Sequence, residues 1–109
     1  MRAEEGIEVI HVLISYRGAR RAPTDVERTR DQAHRLAKHL LLRARAHEPL
    51  AEIAASWSDE PYGRHHDGFV TLPRDGTFLP FASAYDLDLD AFSDVVESEY
   101  GFHLLQRVG

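Results

Sequence analysis

Asp94-Val95-Val96-Glu97-Ser98-Glu99-Tyr100-Gly101-Phe102-His103-Leu104-Leu105 holds two short apolar runs on either side of a polar turn that ends in glycine. Branched and aromatic residues suit a pleated, half-buried surface, so the stretch predicts a hairpin turning over Ser98-Glu99-Tyr100-Gly101. Its second strand places His103 among leucines. A second histidine sits the same way near the start of the chain, as His11 within Ile7-Glu8-Val9-Ile10-His11-Val12-Leu13-Ile14. A buried imidazole must find a polar partner, and taken singly each could be satisfied by a backbone carbonyl or a hydroxyl. If the first and last strands lie side by side, both histidines face one layer and form a single polar site.

Between these strands the periodicity changes. Ser15-Tyr16-Arg17-Gly18-Ala19-Arg20-Arg21-Ala22-Pro23 has no regular spacing and reads as a loop, the one strongly basic segment. Thr29-Arg30-Asp31-Gln32 has the form of a capping box, with Thr24-Asp25-Val26-Glu27 as a second candidate. Ala33, Leu36, Ala37, Leu40, Leu41 and Ala44 recur at three-and-four spacing, which predicts a long amphipathic helix ending near Ala46. Pro49, followed by Leu50, Ile53, Ala54 and Trp57, predicts a shorter second helix. Residues 58–68 are polar and turn-rich, hence a surface loop. Phe69-Val70-Thr71-Leu72 reads as a strand, the aromatic stretch from Phe78 to Tyr85 as helical after Pro80, and residues 86–92 as irregular or a single helical turn. The order predicts an α+β domain with a small, mostly antiparallel sheet.

Composition narrows the function. A chain of 109 residues with 43% hydrophobic content fits one globular domain with a modest core. A formal net charge of −5 argues against general nucleic-acid binding, which needs a basic face to neutralise phosphates. Cysteine is absent, which excludes disulfides, thiolate metal sites and a cysteine nucleophile. No apolar run approaches the roughly 20 residues that span a bilayer. The expectation is a protein without membrane association, cytoplasmic if the chain is complete and exported if it is a domain excised from a longer protein. His65-His66 invites a metal reading, but neighbouring histidines project differently and no third ligand is suitably spaced, so no metal is expected.

The histidine-bearing first strand, the Thr-Arg-Asp-Gln-Ala helix start, Trp57-Ser58-Asp59-Glu60-Pro61, Pro80-Phe81 and the Phe92 to His103 stretch together resemble the parvulin, or rotamase, peptidyl-prolyl isomerases. The likeness runs from about Ile7 to Arg107, within a single domain spanning 1–109. It implies a four-stranded antiparallel sheet surrounded by about four helices, and catalysis of rotation about the bond preceding proline, without a cofactor. The family's two facing histidines match His11 and His103, and a hydroxyl residue near them matches Ser98. The position after the second helix, cysteine in some members and acidic in others, falls on Glu60, with Asp59 as its neighbour. His11, Glu60, Ser98 and His103 are thus the implied catalytic set, and Phe78 and Phe81, with Val70 or Leu72 beneath, the implied proline-ring pocket.

In phosphorylation-specific parvulins a basic cluster in the first loop binds phosphate on the residue before proline. Arg20 and Arg21 match that spacing, and an arginine fork can hold two phosphate oxygens; the lysine of that subgroup is Ser15 here. The family's Gly-Gly-Asp-Leu-Gly is replaced by Arg64-His65-His66-Asp67-Gly68, which keeps one glycine. The implied partners are proline-containing peptides or unfolded protein segments, met by a monomer acting in protein folding. The altered loop motivates an alternative, a parvulin-fold peptide-binding or chaperone module with weak or no isomerase activity.

Overall fold

β1 (Ile7–Ile14) and β4 (Gly101–Arg107) are antiparallel neighbours at the centre of a four-stranded sheet. β2 (Phe69–Leu72) forms one edge on β1 and β3 (Val96–Ser98) the other on β4, giving the order β2-β1-β4-β3 with every pair antiparallel. This is a computed structural model, and it describes residues 6–60, 64, 66–73 and 79–109.

Strand alternation divides β1 into two faces. Ile10, Val12 and Ile14 face the layer of α1 (Arg30–Arg45) and α2 (Leu50–Trp57), joining one buried cluster with Ala33, Ala37, Leu40, Ile53, Phe102 and Leu104. Ile7 and Val9 face the other way and share a cluster with Leu72, Phe81, Ala84 and Leu105. With both faces covered, β1 reads as a nearly continuous apolar run, and a polar group on it stands out.

Of the two candidate capping boxes, α1 starts at the one on Thr29. Gln32 N–H donates to Thr29 Oγ1 (3.2 Å) and Thr29 N–H donates to Gln32 Oε1 (2.8 Å), a complete capping box. The helical elements include α1, α2 and a 3₁₀ segment over Leu79–Asp86, kinked at Phe81 (φ −114°, ψ 26°), and Arg64 is helical as well. β3 begins two residues later than Asp94, because Ser93 N–H donates to Leu105 O (2.9 Å) and Ser93 Oγ to Asp94 O (2.7 Å), and the ladder starts only at Val96↔His103. Among the described residues no helix is long and apolar enough to cross a membrane.

Gly68 fixes how the β2 edge meets the site. It has φ +81°, its carbonyl accepts from His11 N–H at 2.8 Å, and a Cβ there would lie 2.6 Å from the His11 carbonyl oxygen and 2.8 Å from Ala54 Cβ. Backbone on one side and packed helix on the other leave nowhere to shift. Gly68→Ala is expected to lose at least about 2 kcal/mol in urea denaturation, from left-handed strain plus overpacking. A variant within about 0.5 kcal/mol of wild type, inside the usual range for surface substitutions, would show that the loop yields.

Candidate active site

The β1–β4 register decides the centre of the site. His11 is opposite Leu105 and Leu13 opposite His103, so the two histidines occupy diagonal positions on one face. Their side chains meet: His11 Nε2 and His103 Nδ1 are 2.7 Å apart, with ring centres 5.0 Å apart and nearly parallel. The hydrogen-bond chain continues through His103 Nε2 to Ser98 Oγ at 2.5 Å, and Tyr100 N–H donates to that oxygen at 3.1 Å. Ser98 pairs with Gly101 across the hairpin, so the two-residue turn sets the hydroxyl beside the ring.

Both imidazoles are buried, at 6% and 4% exposure. Burial, reinforced by the neighbouring His103, pushes His11 down to about 3, and burial pushes His103 down to about 4. At neutral pH the pair is therefore uncharged, each ring with one N–H. Two proton arrangements satisfy the chain. Either His11 donates to His103, which donates to Ser98, or Ser98 donates to His103, which donates to His11. Neither arrangement leaves a charged general acid at the centre.

Phe81 closes over this pair. The kinked 3₁₀ segment brings its ring to 4.6 Å from the His11 ring and edge-on at 5.1 Å from His103. Around them opens a cleft of about 570 Å³ lined by His11, Leu13, Val70, Phe81, Tyr100, His103, Asp59, Glu60, Arg20 and Arg21. Leu72 lies in the buried cluster with Phe81 and does not line the cleft, so of the two aliphatic candidates Val70 is the one exposed to it. Phe78 lies outside the described residues.

The loop after α2 separates the two candidate carboxylates. Leu13 N–H donates to Ser58 Oγ (3.1 Å), Asp59 N–H to Leu13 O (2.7 Å), and Ser15 N–H to Asp59 Oδ2 (2.9 Å), which stitches the loop to the end of β1. Arg28 Nη1 also donates to Asp59 Oδ2 at 2.7 Å and to Ser15 O at 3.0 Å. Asp59 is thereby held as a clamp at the cleft wall, and Glu60, the next residue, lines the cleft beside it. Leu13, Tyr100 and the Arg28 clamp were not anticipated from sequence. The strand parity of Leu13 with His11 was the available signal for the first of these.

Arg20 and Arg21 reach the same cleft from the first loop. Arg21 holds a left-handed backbone (φ 57°) within a turn closed by Ala22 N–H donating to Ala19 O (3.1 Å). Among the described residues no group of three or more histidine, cysteine, aspartate or glutamate side chains is arranged to hold a metal ion.

Comparison with known proteins bears on the family and the fold. The family of PPIC-type PPIase domains matches residues 1–108. The foldase protein PrsA of Halalkalibacterium halodurans is 30% identical over 71 residues, a match covering 63% of this chain and 21% of that protein. Among solved structures, the peptidyl-prolyl isomerase ESS1 from Candida albicans superposes with a TM-score of 0.82 at 28% identity, over 94% of this chain and 62% of that one. The PPIase domain of TbPar42 superposes with the same TM-score of 0.82 at 24% identity, over 94% of this chain and 99% of that one, which shows the shared fold. A match that runs the length of the chain leaves no room for a different assignment: the chain belongs to the PPIC-type peptidyl-prolyl isomerase domains.

Proposed function

We propose that the cleft over His11 and His103 is where this domain binds the proline of a protein segment and rotates the preceding peptide bond without a covalent intermediate. The observation that carries the reading is the Phe81 ring packed against a neutral, hydrogen-bonded histidine pair, an apolar wall joined to fixed polar groups in one cleft. The barrier to be lowered is ~18–20 kcal/mol, set by amide resonance, and no bond need break. Twisting the amide ends that resonance and leaves the carbonyl oxygen less negative. A carboxylate facing that oxygen repels the planar form more than the twisted one, and Glu60 is assigned this role. Phe81 and Val70 receive the ring, and the histidine pair with Ser98 keeps the lining in place.

Tenfold in rate requires only about 1.4 kcal/mol of preference for the twisted form. Arg20 and Arg21 offer cations to an acidic or phosphorylated residue before proline, and equal turnover of Glu-Pro and Ala-Pro peptides would end that preference. A protease-coupled assay on proline peptides tests the whole reading. Turnover well above the uncatalysed rate supports it, whereas binding without turnover points to a peptide-holding module. Glu60→Ala is expected to lose about tenfold in kcat/KM, equivalent to removing one modest electrostatic contribution. Wild-type activity in a folded Glu60→Ala protein removes Glu60 from the mechanism.

A further inference from the structure

At the rim of the cleft one of the two arginines is already engaged by the protein itself. Arg20 N–H donates to the Glu99 carbonyl oxygen (2.9 Å) and Arg20 Nη1 to Glu99 Oε1 (3.1 Å). The Arg20 guanidinium also lies 5.7 Å from the centre of the Tyr100 ring. Arg20 and Tyr100 both line the cleft, whereas Glu99 stands just outside it as the first residue of the hairpin turn. The turn that aims Ser98 at His103 therefore also holds a carboxylate against Arg20.

We propose that Glu99 is a specificity-determining residue, a built-in competitor for Arg20 that weakens any preference for an anionic side chain before the substrate proline. The proposal rests on the reading of the cleft as the proline site and concerns its selectivity. An incoming carboxylate or phosphate must either displace the Glu99 carboxylate from Arg20 or share the guanidinium with it at a distance where like charges repel. A phosphate, with close to two charges, meets that repulsion more strongly. A lysine before proline meets the reverse, since Glu99 attracts it. The ion pair is 58% and 59% exposed, so the effect is modest and sensitive to salt. The backbone bond from Arg20 N–H to Glu99 O does not involve the carboxylate, so Glu99→Gln removes the charge while that anchor remains.

The test compares kcat/KM for Glu-Pro, Ala-Pro and Lys-Pro peptides in wild type and Glu99→Gln at low ionic strength, with affinities for the same peptides from fluorescence anisotropy. The Glu-Pro to Ala-Pro ratio is expected to rise about two- to fivefold in the variant and the Lys-Pro to Ala-Pro ratio to fall by a similar factor. Both changes should shrink in 1 M salt, where the Debye length is about 3 Å. In an Arg20→Gln background, Glu99→Gln should no longer raise the Glu-Pro ratio. Ratios that stay unchanged in both assays overturn the proposal, and so does an equal loss on all three peptides, which would make Glu99 a support for the loop only. If wild type binds these peptides without turning them over, the isomerase reading fails and the affinity ratios alone decide the role of Glu99.

Discussion

His103→Ala is expected to destabilise the domain by about 3 to 5 kcal/mol and to lower kcat/KM toward proline peptides at least tenfold. Two losses combine. The ring is 4% exposed, so its removal leaves a cavity beside Phe81, and it leaves buried His11 Nε2 without its partner at 2.7 Å, while half-buried Ser98 Oγ loses the contact at 2.5 Å and keeps the one from Tyr100 N–H. A buried polar group left unpaired costs about 1 to 3 kcal/mol. Because the alanine variant could fail through folding alone, two further variants separate the bonds. Asparagine places its amide near the Nδ1 position and can keep the bond to His11, whereas glutamine reaches the Nε2 position and can keep the bond to Ser98. Both are expected to fold better than His103→Ala, with chemical denaturation and the protease-coupled assay run on each below its unfolding transition. If His103→Ala is as active as wild type while folded, the pair is only a core feature and the site must be sought elsewhere in the cleft.

How far the sequence revealed this arrangement depends on the range of the interaction involved. Strand parity was enough to place His11 and His103 on one face once the first and last strands were paired, and the capping-box pattern narrowed the start of α1 to two places, of which the fold uses Thr29. Both are local patterns joined by one assumption about topology. Asp59 and Glu60 are a different case. Adjacent carboxylates in a turn look alike in sequence, and what separates them is Arg28, 31 positions earlier, which takes Asp59 together with the Ser15 N–H. Likewise Val70 and Leu72 share a face of β2, and only their distance along the sheet from His11 puts the first in the cleft and the second in the core. Tyr100 reads as an ordinary turn residue, and its place in the cleft follows from the first loop folding back so that Arg20 meets Glu99. The family resemblance supplied what local pattern could not, because it carries the tertiary arrangement with it.

The same histidine pair makes the fold sensitive to acid well above the range in which ordinary carboxylates titrate. His11 and His103 are held below the ordinary histidine value of 6.5, at about 3 and about 4, chiefly by burial. Above pH 6.5 both rings are neutral whether the chain is folded or not, and their contribution to stability is complete. As pH falls through 6.5 the unfolded chain takes up protons that the folded one refuses, so stability is lost at about 1.4 kcal/mol per pH unit for each ring, or nearly 3 for the pair. The decline continues to about pH 4 for His103 and about pH 3 for His11. Other charges around the cleft pull in opposite directions, since Glu60 favours an imidazolium and Arg20 and Arg21 oppose it. A domain of this size has on the order of 5 to 15 kcal/mol to lose, so two pH units of this slope consume a large part of it. Urea denaturation between pH 7.5 and 5 is expected to show a flat region above 6.5 and a steep fall below it. The control is a triple variant, His11→Leu with His103→Leu and Ser98→Ala, which replaces the three hydrogen-bonded side chains with apolar groups and leaves only the part-buried Tyr100 N–H without its acceptor, a loss that does not depend on pH. Its stability should change little between pH 6.5 and 5. A wild-type profile flat to within about 0.5 kcal/mol between pH 7.5 and 5.5, where the linkage slope requires a clear fall, would mean that the pair takes up a proton in the native state as easily as in the unfolded chain. The pair would then titrate near the ordinary histidine value and carry charge in mildly acidic solution, and the neutrality argued for it from burial would have to be abandoned.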